Sequence, residues 1–300
     1  MNSPIPFADR LMKATLQLGP LCVGVDPHWG RIPSMFGPDN SSEAVKNWGK
    51  AIIARCEGKV AMVKPQAGLF ERWGSKGVAA LESVCQSAQD ANLLVMMDAK
   101  RGDIGSTAVG YAEAYLGAQA YAPSDAITVN PYMGLDTLEP FVEVAQREGK
   151  GIAVLARTSN PGSSDFQAKD LEGVPLFMRV AESLNPLAER LQGNNTQWSG
   201  LMLVAGATGP EEAKKLRKAA PICPFLVPGY GAQGAGASEA VAGFVNSPNG
   251  LVGGLVNASR SITFPEATQN ASTAKEWDQA VDEAIKAAQT DLLSAVHKEV

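Results

Sequence analysis

Eight short apolar runs recur along this 300-residue sequence, and segments with helical spacing lie between them. Such runs are typical of buried parallel strands. No Pro/Ser-rich linker divides the alternation into halves. The pattern therefore predicts an α/β fold, a single (β/α)8 barrel domain formed by residues 1–300, with a doubly wound open sheet as the alternative. The predicted strands are residues 21–26, 60–64, 93–98, 126–130, 152–156, 200–205, 225–227 and 251–257.

Further helical patterns frame this alternation. Phe7, Leu11 and Leu16 predict a leading helix before the first strand. Between the first and second predicted strands, a helical face recurs over residues 45–56. We therefore expect extra helices at both ends of the barrel domain. The apolar positions of the predicted closing helix are Trp277, Val281, Ile285, Ala288, Leu292 and Val296.

The composition is that of an ordinary globular protein, because 45% of the residues are hydrophobic and the formal net charge is −5. This balance gives no support for nucleic-acid or membrane-surface binding. Residues 1–6 do not resemble a signal peptide and no apolar run reaches membrane-spanning length, so we expect neither secretion nor membrane insertion. Four widely spaced cysteines predict reduced thiols in a cytoplasmic protein.

The strongest chemical signal directly follows the third predicted strand. Asp98, Lys100 and Asp103 place two carboxylates and an ammonium within six residues. If extended geometry continues to Lys100, its side chain and that of Asp98 project to the same side. Gly102 then ends the strand, and a helical pattern begins at Asp103. A charged cluster at the exit of a parallel strand is where α/β proteins commonly place their chemistry.

Other predicted strands also end in polar residues. Because the carboxyl ends of all barrel strands meet at one mouth, we expect these residues to form one polar constellation. They are Asp26, Lys64, Asp98 with Lys100, Asn130, Thr158 with Ser159, the glycine-rich loop 229–234, and Ser259 with Arg260.

The glycine-rich loop 229–234 fits G-x-G-x-x-G, but it lies late in the chain and no acidic residue about 20 positions later is placed to hold a ribose. We therefore reject a dinucleotide site. Two interpretations remain, a plain flexible loop and a phosphate cradle, and barrels often bind phosphate after their last two strands. In a cradle, Gln233 would donate a hydrogen bond and Arg260 would pair with the anion.

Several other chemistries are not supported. The only histidines are His28, in a predicted turn, and His297, in the predicted closing helix. The sequence has no H-E-x-x-H motif, nucleophile elbow, Walker A loop or zinc-ligand spacing. A Ser-His-Asp mechanism is therefore not expected.

The segment from Asp98 to Thr107, D-A-K-R-G-D-I-G-S-T, resembles the active-site signature of the orotidine 5′-phosphate decarboxylase family, in its longer bacterial branch. Other motifs resemble the same family, so the likeness spans nearly the whole chain. The D-x-K-x-x-D core alone is less specific, because sugar-phosphate relatives in the same superfamily share it. The other matching motifs are C-V-G-V-D-P-H at 22–28, V-K-P-Q at 63–66, A-R-T-S-N-P at 156–161, V-P-G-Y-G-A-Q-G at 227–234 and N-A-S-R at 257–260.

The resemblance implies a (β/α)8 barrel that decarboxylates orotidine 5′-phosphate to UMP without cofactor or metal. It implies a charged tetrad made of Lys64, Asp98, Lys100 and Asp103. In that family the second aspartate and a nearby threonine act in the partner subunit's site, so Asp103 and Thr107 would act in trans across a homodimer. The implied substrate contacts are Asp26, Lys64 and Thr107 to the ribose, Ser159 to the pyrimidine edge, and Gln233 and Arg260 to the phosphate.

The chemistry explains these residue types. Loss of CO2 from C6 leaves a localised carbanion that no electron-sink cofactor delocalises, so preorganised charge must stabilise it. Lys100 would stabilise the carbanion and then protonate C6. Two alternatives stay open: a Mg²⁺-dependent sugar-phosphate enzyme of the same superfamily, and a non-catalytic nucleotide-binding barrel. The first would use an acidic residue where Lys64 stands, and the second has no reason to keep the whole tetrad.

Overall fold

A computed structural model describes residues 3–206, 209–231 and 234–297. Within these residues, eight parallel strands close into a barrel in which neighbours in sequence are neighbours in space. The predicted (β/α)8 barrel is thereby confirmed. The barrel strands are β1 (Leu21–Val25), β2 (Met62–Pro65), β3 (Leu94–Arg101), β4 (Ala126–Val129), β5 (Gly151–Arg157), β8 (Leu201–Ala205), β9 (Phe225–Val227) and β12 (Gly254–Ala258).

Two small antiparallel hairpins lie outside the barrel. The first, β6 (Asp170–Leu171) with β7 (Val174–Pro175), follows β5. The second, β10 (Val245–Ser247) with β11 (Gly250–Val252), precedes β12.

Helices cover the outside of the barrel and alternate with its strands. Helix starts follow local capping chemistry: the Ser41 hydroxyl accepts a hydrogen bond from the backbone N–H of Ala44 at 3.1 Å, and Thr273 forms a capping box with Glu276. The helices are α1 (Phe7–Leu18), α2 (Ser42–Cys56), α3 (Ala67–Glu71), α4 (Gly74–Asp90), α5 (Gly105–Leu116), α6 (Glu139–Glu148), α7 (Ser163–Phe166), α8 (Leu176–Ser183), α9 (Asn185–Arg190), α10 (Pro210–Ala219), α11 (Ala237–Ala240), α12 (Arg260–Thr263), α13 (Glu266–Asn270) and α14 (Ala274–Val296), with short 3-10 helices at Ser34–Phe36 and Leu135–Thr137. None of the helices in these ranges is both long and apolar enough to cross a bilayer.

The apolar core has two layers. The larger layer packs between strands and helices, and a smaller cluster fills the barrel interior. Phe7 and Leu11 of α1 belong to the interior cluster, so α1 closes the N-terminal end of the barrel. The interior positions supplied by the strands include Cys22, Met62, Leu94, Met96, Ala126, Ala153, Met202, Val204, Leu226 and Leu255.

A buried ion pair fixes α1 to that end. Arg10 donates to the carboxylate of Asp125 at 2.5 Å and to the carbonyl oxygen of Gly149 at 2.9 Å. The other carboxylate oxygen of Asp125 accepts from the backbone N–H of Val95 at 2.9 Å. Apolar side chains and α1 thus close the N-terminal end of the barrel.

The predicted terminal helices exist, with one error. The apolar positions of α14 are buried as predicted, and so are Phe7 and Leu11. Leu16 was wrongly included, because it is 55% exposed on the outer face of α1.

Two predicted boundaries were also wrong. The run 251–257 is not one strand: it breaks at Gly253, whose φ of +106° suits glycine, and where an added Cβ would lie 2.4 Å from the Trp198 ring. Residues before the break belong to β11, and the barrel strand is β12. The fifth helix begins at Gly105 rather than Asp103, because the backbone of Ile104 is still extended.

Candidate active site

Three of the predicted charged side chains form one network at the mouth of the barrel. Lys64, on β2, places its Nζ 2.7 Å from Asp98 Oδ2, and Lys100, on β3, places its Nζ 2.6 Å from Asp98 Oδ1. The side chains of Lys64 and Asp98 are 7% and 9% exposed, whereas that of Lys100 is 47% exposed. The Lys64 ammonium is therefore buried inside the barrel, whereas the Lys100 ammonium reaches the open mouth.

Two neutral side chains complete the surroundings of Asp98. Gln66, which follows β2 and bridges to Asp98 through the backbone, donates from Nε2 to Oδ2 at 3.0 Å. Thr128, on β4, donates from its hydroxyl to Oδ1 at 3.0 Å. Each carboxylate oxygen thus accepts one charged and one neutral hydrogen bond, which satisfies a buried carboxylate well.

The network keeps Asp98 and Lys64 ionised. Burial alone would raise the pKa of the Asp98 carboxyl, but the ammonium groups of Lys64 and Lys100 outweigh it and hold the pKa well below its usual range. Burial alone would lower the pKa of Lys64, but the carboxylates of Asp98 and Asp26 outweigh it and raise the pKa above its usual range. Burial raises the pKa of the neighbouring Cys22 thiol to about 12, so that group stays neutral.

The backbone that carries Lys100 is not the regular strand that the sequence analysis assumed. The pairing of β3 with β4 shifts between Met97 and Arg101, and Lys100 has φ +48°. The expected contact between Lys100 and Asp98 exists, but an irregular, left-handed backbone produces it. A pattern of alternating residues cannot indicate such a bulge, because the same residue types occur in regular strands.

A second polar group lies at the ends of β1 and β12. The Ser259 hydroxyl donates to Asp26 Oδ2 at 2.5 Å. Gly24 makes this possible, because a Cβ there would lie 2.7 Å from that of Ser259. Asp26 Oδ1 and Asn257 Oδ1 are both buried and accept no hydrogen bond from the described residues. Both oxygens are thus available to donors of a bound molecule, such as hydroxyl groups.

Arg260 is a second exposed cation at this mouth, besides Lys100. It begins the short helix α12, and its guanidinium makes no hydrogen bond or ion pair within the described ranges. Its charge acts on His28 in the loop after β1. Burial lowers the pKa of His28, Asp26 opposes this, and Arg260 and Arg31 lower the pKa further. The imidazole is therefore neutral at neutral pH, and Arg260 is the group suited to an anion.

The glycine-rich loop after β9 has the backbone of a tight turn. Gly229, Gly231 and Gly234 have φ values of +103°, +69° and +88°, a region that favours glycine. The backbone N–H of Gly231 donates to the carbonyl oxygen of Ala235 at 3.0 Å, which closes the loop at its base. Gln233, the predicted phosphate donor, lies outside the described residues.

Ser159 lies after β5, half-buried beside Gly206, where an added Cβ would come within 3.2 Å of the serine. It lines a cavity of about 290 Å³ together with Thr158 and Asn160. The Thr158 hydroxyl donates to Asn160 Oδ1 at 2.6 Å, whereas the Ser159 hydroxyl makes no hydrogen bond to the described residues. The side-chain Nδ2 of Asn160 also makes no hydrogen bond to the described residues, so Ser159 and Asn160 each offer an available polar group here.

Asp103 and Thr107 do not join the network of their own chain. Asp103 Oδ1 accepts a hydrogen bond from the backbone N–H of Ile104 at 2.8 Å, and within the described ranges its carboxylate forms no ion pair. Thr107 is exposed on the first turn of α5. The structure thus brings together Lys64, Asp98 and Lys100, and leaves the fourth member of the predicted tetrad apart.

Sequence reasoning missed Thr128, Gln66 and Asn257 as site residues. Thr128 stands in an apolar strand, where threonine is an ordinary strand-forming residue. Gln66 and Asn257 stood in motifs quoted for the family resemblance, and their position at strand ends was the one available signal.

Three larger cavities lie elsewhere among the described residues. Those of about 490 and 740 Å³ lie at the closed N-terminal end of the barrel against α1, and one of about 370 Å³ lies between α14 and Arg55 of α2. None of the charged residues of the mouth lines them. Among the described residues, no three His, Cys, Asp or Glu side chains gather in a way that could hold a metal ion.

The fold and the charged network together define a (β/α)8-barrel enzyme with its site at the carboxyl ends of the strands. A sequence profile of the orotidine 5′-phosphate decarboxylase / HUMPS family matches residues 19–276. The chain therefore belongs to this family.

Individual relatives agree over almost the whole length. An orotidine 5′-phosphate decarboxylase of Rhodopirellula baltica is 40% identical, and the match covers 92% of this chain and 95% of the relative. The crystal structure of a candidate orotidine 5′-phosphate decarboxylase from Streptomyces avermitilis superimposes with a TM-score of 0.81 at 34% identity, covering 98% of this chain and 97% of that one. The OMP decarboxylase of Leishmania donovani gives a TM-score of 0.73 at 30% identity, covering 95% of this chain and 99% of that one.

The network makes a prediction about stability. At neutral pH, Asp98→Asn should lower the free energy of unfolding by about 3–5 kcal/mol, because it leaves the buried Lys64 ammonium without its counterion. The folded-state pKa of Asp98 lies below the unfolded value near 3.9. Its contribution is therefore complete above about pH 5 and is lost as the pH falls through the folded-state pKa. Urea unfolding followed by circular dichroism measures the difference at each pH.

The matched control is Glu113→Gln. Glu113 pairs with Arg147 at 2.8 Å, but its side chain is 44% exposed, so the change should cost less than about 1 kcal/mol. A difference between wild type and Asp98→Asn that stays constant from pH 7 to pH 3 would show that Asp98 is not held ionised by the lysines.

Proposed function

We propose that this protein decarboxylates orotidine 5′-phosphate to UMP and CO2, the last step of de novo pyrimidine nucleotide synthesis, without cofactor or metal. The observation that carries the proposal is the network of Lys64, Asp98 and Lys100 at the barrel mouth. Relatives named for this activity, at about 40% identity over most of the chain, support it.

Lys100 is the proposed acid. When the bond between C6 and the carboxylate breaks, CO2 leaves and the electron pair stays on C6 as a carbanion. The fixed ammonium of Lys100 stabilises this charge as it develops, then transfers a proton from Nζ to C6, and the resulting amine recovers a proton from water. Its 47% exposure lets it reach a bound molecule, and its bond to Asp98 restricts its position.

Asp98 and Lys64 prepare the site for this step. Asp98 orients the Lys100 ammonium, and Lys64 and Gln66 hold Asp98 in turn. Because the charges are in place before the substrate arrives, little reorganisation is needed during the reaction. This preorganisation is the catalytic contribution we assign to the buried part of the network.

The remaining contacts orient the substrate. We assign Asp26 and Lys64 to the ribose hydroxyls, which Asp26 Oδ1 supports because it has no partner among the described residues. Ser159 is assigned to the pyrimidine edge. Arg260, exposed and without an ion pair in the described ranges, is assigned to the phosphate together with Gln233. Binding energy from these contacts, remote from C6, lowers the barrier to the chemical step.

A Mg²⁺-dependent sugar-phosphate reaction fits the site less well. Such relatives place an acidic metal ligand at the end of the second strand, and here that position is Lys64, whose pKa is raised and whose charge would repel a cation. A non-catalytic barrel also fits less well, because buried charges are costly to keep without a use.

We also propose a homodimer in which Asp103 and Thr107 complete the partner's site. Neither side chain joins the network of its own chain. Large apolar side chains are exposed next to Asp103. Ile104 is its chain neighbour and is 62% exposed, and the loop after β4, whose Met133 approaches Gly102, has Tyr132 83% and Met133 47% exposed. An apolar rim of this kind is typical of a protein interface, and a second copy of the chain would cover it.

The cysteines and the net charge bear on the compartment and the partners that we propose. All four cysteines are free and buried, which supports work in a reducing compartment such as the cytoplasm. The net charge of −5 supports neither a nucleic-acid nor a membrane partner.

The direct test is the loss of orotidine 5′-phosphate absorbance in the presence of EDTA. We expect full turnover, because Lys64 stands where a metal ligand would be required and the reaction needs no Lewis acid. Addition of Mg²⁺ should change the rate by less than about twofold. A large loss of activity in EDTA that Mg²⁺ restores would favour the sugar-phosphate alternative.

The shared site has its own test. Lys100→Ala and Asp103→Asn dimers should each be nearly inactive. After subunit exchange, each heterodimer has one site with both lesions and one intact site. About half of the dimers are then heterodimers, so activity should recover to about a quarter of the wild-type value.

The control for this experiment is a mixture of Lys64→Ala with Lys100→Ala. Both residues lie in one network of one chain, so every heterodimer site carries a lesion and no activity should return. If the Asp103→Asn mixture stays as inactive as this control while mass spectrometry confirms heterodimers, then Asp103 acts within its own chain.

A further inference from the structure

The bulge in β3 places three consecutive residues opposite a single residue of β4. Met97 pairs with Ile127, and the next pair along the ladder is Arg101 with Val129. On β4, one residue, Thr128, lies between Ile127 and Val129. Asp98, Ala99 and Lys100 on β3 therefore all lie opposite Thr128. Bulges next to active sites commonly re-aim a side chain, and this one contains Asp98 and Lys100.

Thr128 occupies that position with its side chain inside the barrel. It is 1% exposed. Its hydroxyl donates to Asp98 Oδ1 at 3.0 Å and accepts from the backbone N–H of Lys100 at 2.9 Å. The same hydroxyl thus donates to Asp98, the counterion of the Lys100 ammonium, and accepts from the backbone of Lys100.

The backbone of Lys100 needs such support. Its φ of +48° lies in the left-handed region, which residues other than glycine rarely adopt without a compensating contact. Within the bulge, the N–H of Lys100 donates to a side chain, the Thr128 hydroxyl. Backbone pairing resumes beyond the bulge, where the N–H of Asn130 donates to the carbonyl oxygen of Arg101 at 2.8 Å. The Thr128 hydroxyl thus serves Lys100 in place of a backbone ladder partner.

Arg101 holds the outer side of the same bulge. Its guanidinium donates to the carbonyl oxygen of Ala99 at 3.3 Å and to the Tyr115 hydroxyl at 3.1 Å, and it pairs with Glu71 of α3. It also lies 5.5 Å from the centre of the Tyr111 ring of α5. The outer side is therefore fixed by several contacts, whereas on the inner side Thr128 is the side chain that bonds to both ends of the Asp98–Lys100 segment.

We propose that Thr128 is a positioning residue for Lys100. Its hydroxyl bonds both to the carboxylate of Asp98 and to the backbone N–H of Lys100. These two bonds fix Asp98 and Lys100 relative to each other, so that Lys100 Nζ points at the reacting carbon. This inference rests on the proposed decarboxylase function, in which Lys100 protonates C6. Thr128 itself touches neither the reacting carbon nor the carboxylate that leaves.

The test compares three variants of the full-length protein on orotidine 5′-phosphate. Thr128→Val keeps the size and the branched Cβ but removes the hydroxyl, and it should lower kcat by about 100-fold, the scale of a small misplacement of a catalytic group. KM and the affinity for UMP should stay within about threefold, because the ribose and phosphate contacts are untouched. Thr128→Ser restores a hydroxyl and should recover most of kcat.

Thr268→Val is the matched control. Thr268 is fully buried in α13, and its hydroxyl donates to the carbonyl oxygen of Pro265 at 2.8 Å. This variant should lower the melting temperature like Thr128→Val but leave kcat within about twofold of wild type. If Thr128→Val does not fold, Thr128→Ala removes the same hydroxyl without adding a methyl group and takes its place.

The outcomes separate the two proposals. A wild-type protein without decarboxylase activity would overturn the proposed function and the role of Thr128 with it. A wild type that is active while Thr128→Val keeps its kcat, or loses it with a matching rise in KM, would overturn the positioning role alone. A kcat loss that Thr128→Ser does not recover would also contradict it, because the hydroxyl would then not be the cause.

Discussion

The buried carboxylate of Asp98 is the interaction on which the rest of the site depends. A carboxylate that is 9% exposed is costly unless opposite charge and hydrogen bonds compensate for its lost hydration. Here β2 supplies Lys64, the residue after it supplies Gln66, and β3 supplies Lys100. Lys64 depends on Asp98 equally, because its ammonium is also buried. A shift of one residue in the pairing of β2 with β3 would leave both charges uncompensated, so the network also constrains the register of the barrel.

The two ends of the barrel have different roles: the N-terminal end is packed and apolar, and the opposite mouth carries the charged residues. At the N-terminal end, α1 packs against the apolar interior and Arg10 ties it to Asp125. At the other end the interior changes from apolar to charged over a short distance, as on β3 from Met96 to Asp98. The charges can be kept there because the closed end and the helix-covered wall hold them rigidly. This is the general division of labour in (β/α)8 barrels, in which the strand ends carry the variable chemistry.

The sequence was sufficient to predict the barrel and the three charged residues of the network. It was not sufficient to predict the irregular backbone of β3 that positions Lys100. Apolar runs with turn residues between them identified all eight barrel strands, since burial on both faces leaves a clear pattern. Lys64, Asp98 and Lys100 were found because charged residues stand out at strand ends. The bulge and the left-handed Lys100 were missed, because they arise from pairing between strands that are distant in sequence. Thr128 and the break at Gly253 were missed for the same reason, as each takes its meaning from a neighbour across the fold.

The central claim is that an ammonium at position 100 carries the chemistry, and chemical rescue tests it most directly. Lys100→Cys should be nearly inactive, and alkylation with 2-bromoethylamine rebuilds an ammonium of almost the original length. The four native cysteines are 0% exposed, so the introduced thiol is the one that reacts. We predict that turnover rises by about a hundredfold or more, whereas iodoacetamide, which adds an uncharged group, gives no recovery. Quantitative aminoethylation, confirmed by mass spectrometry, without any gain in turnover would contradict the account.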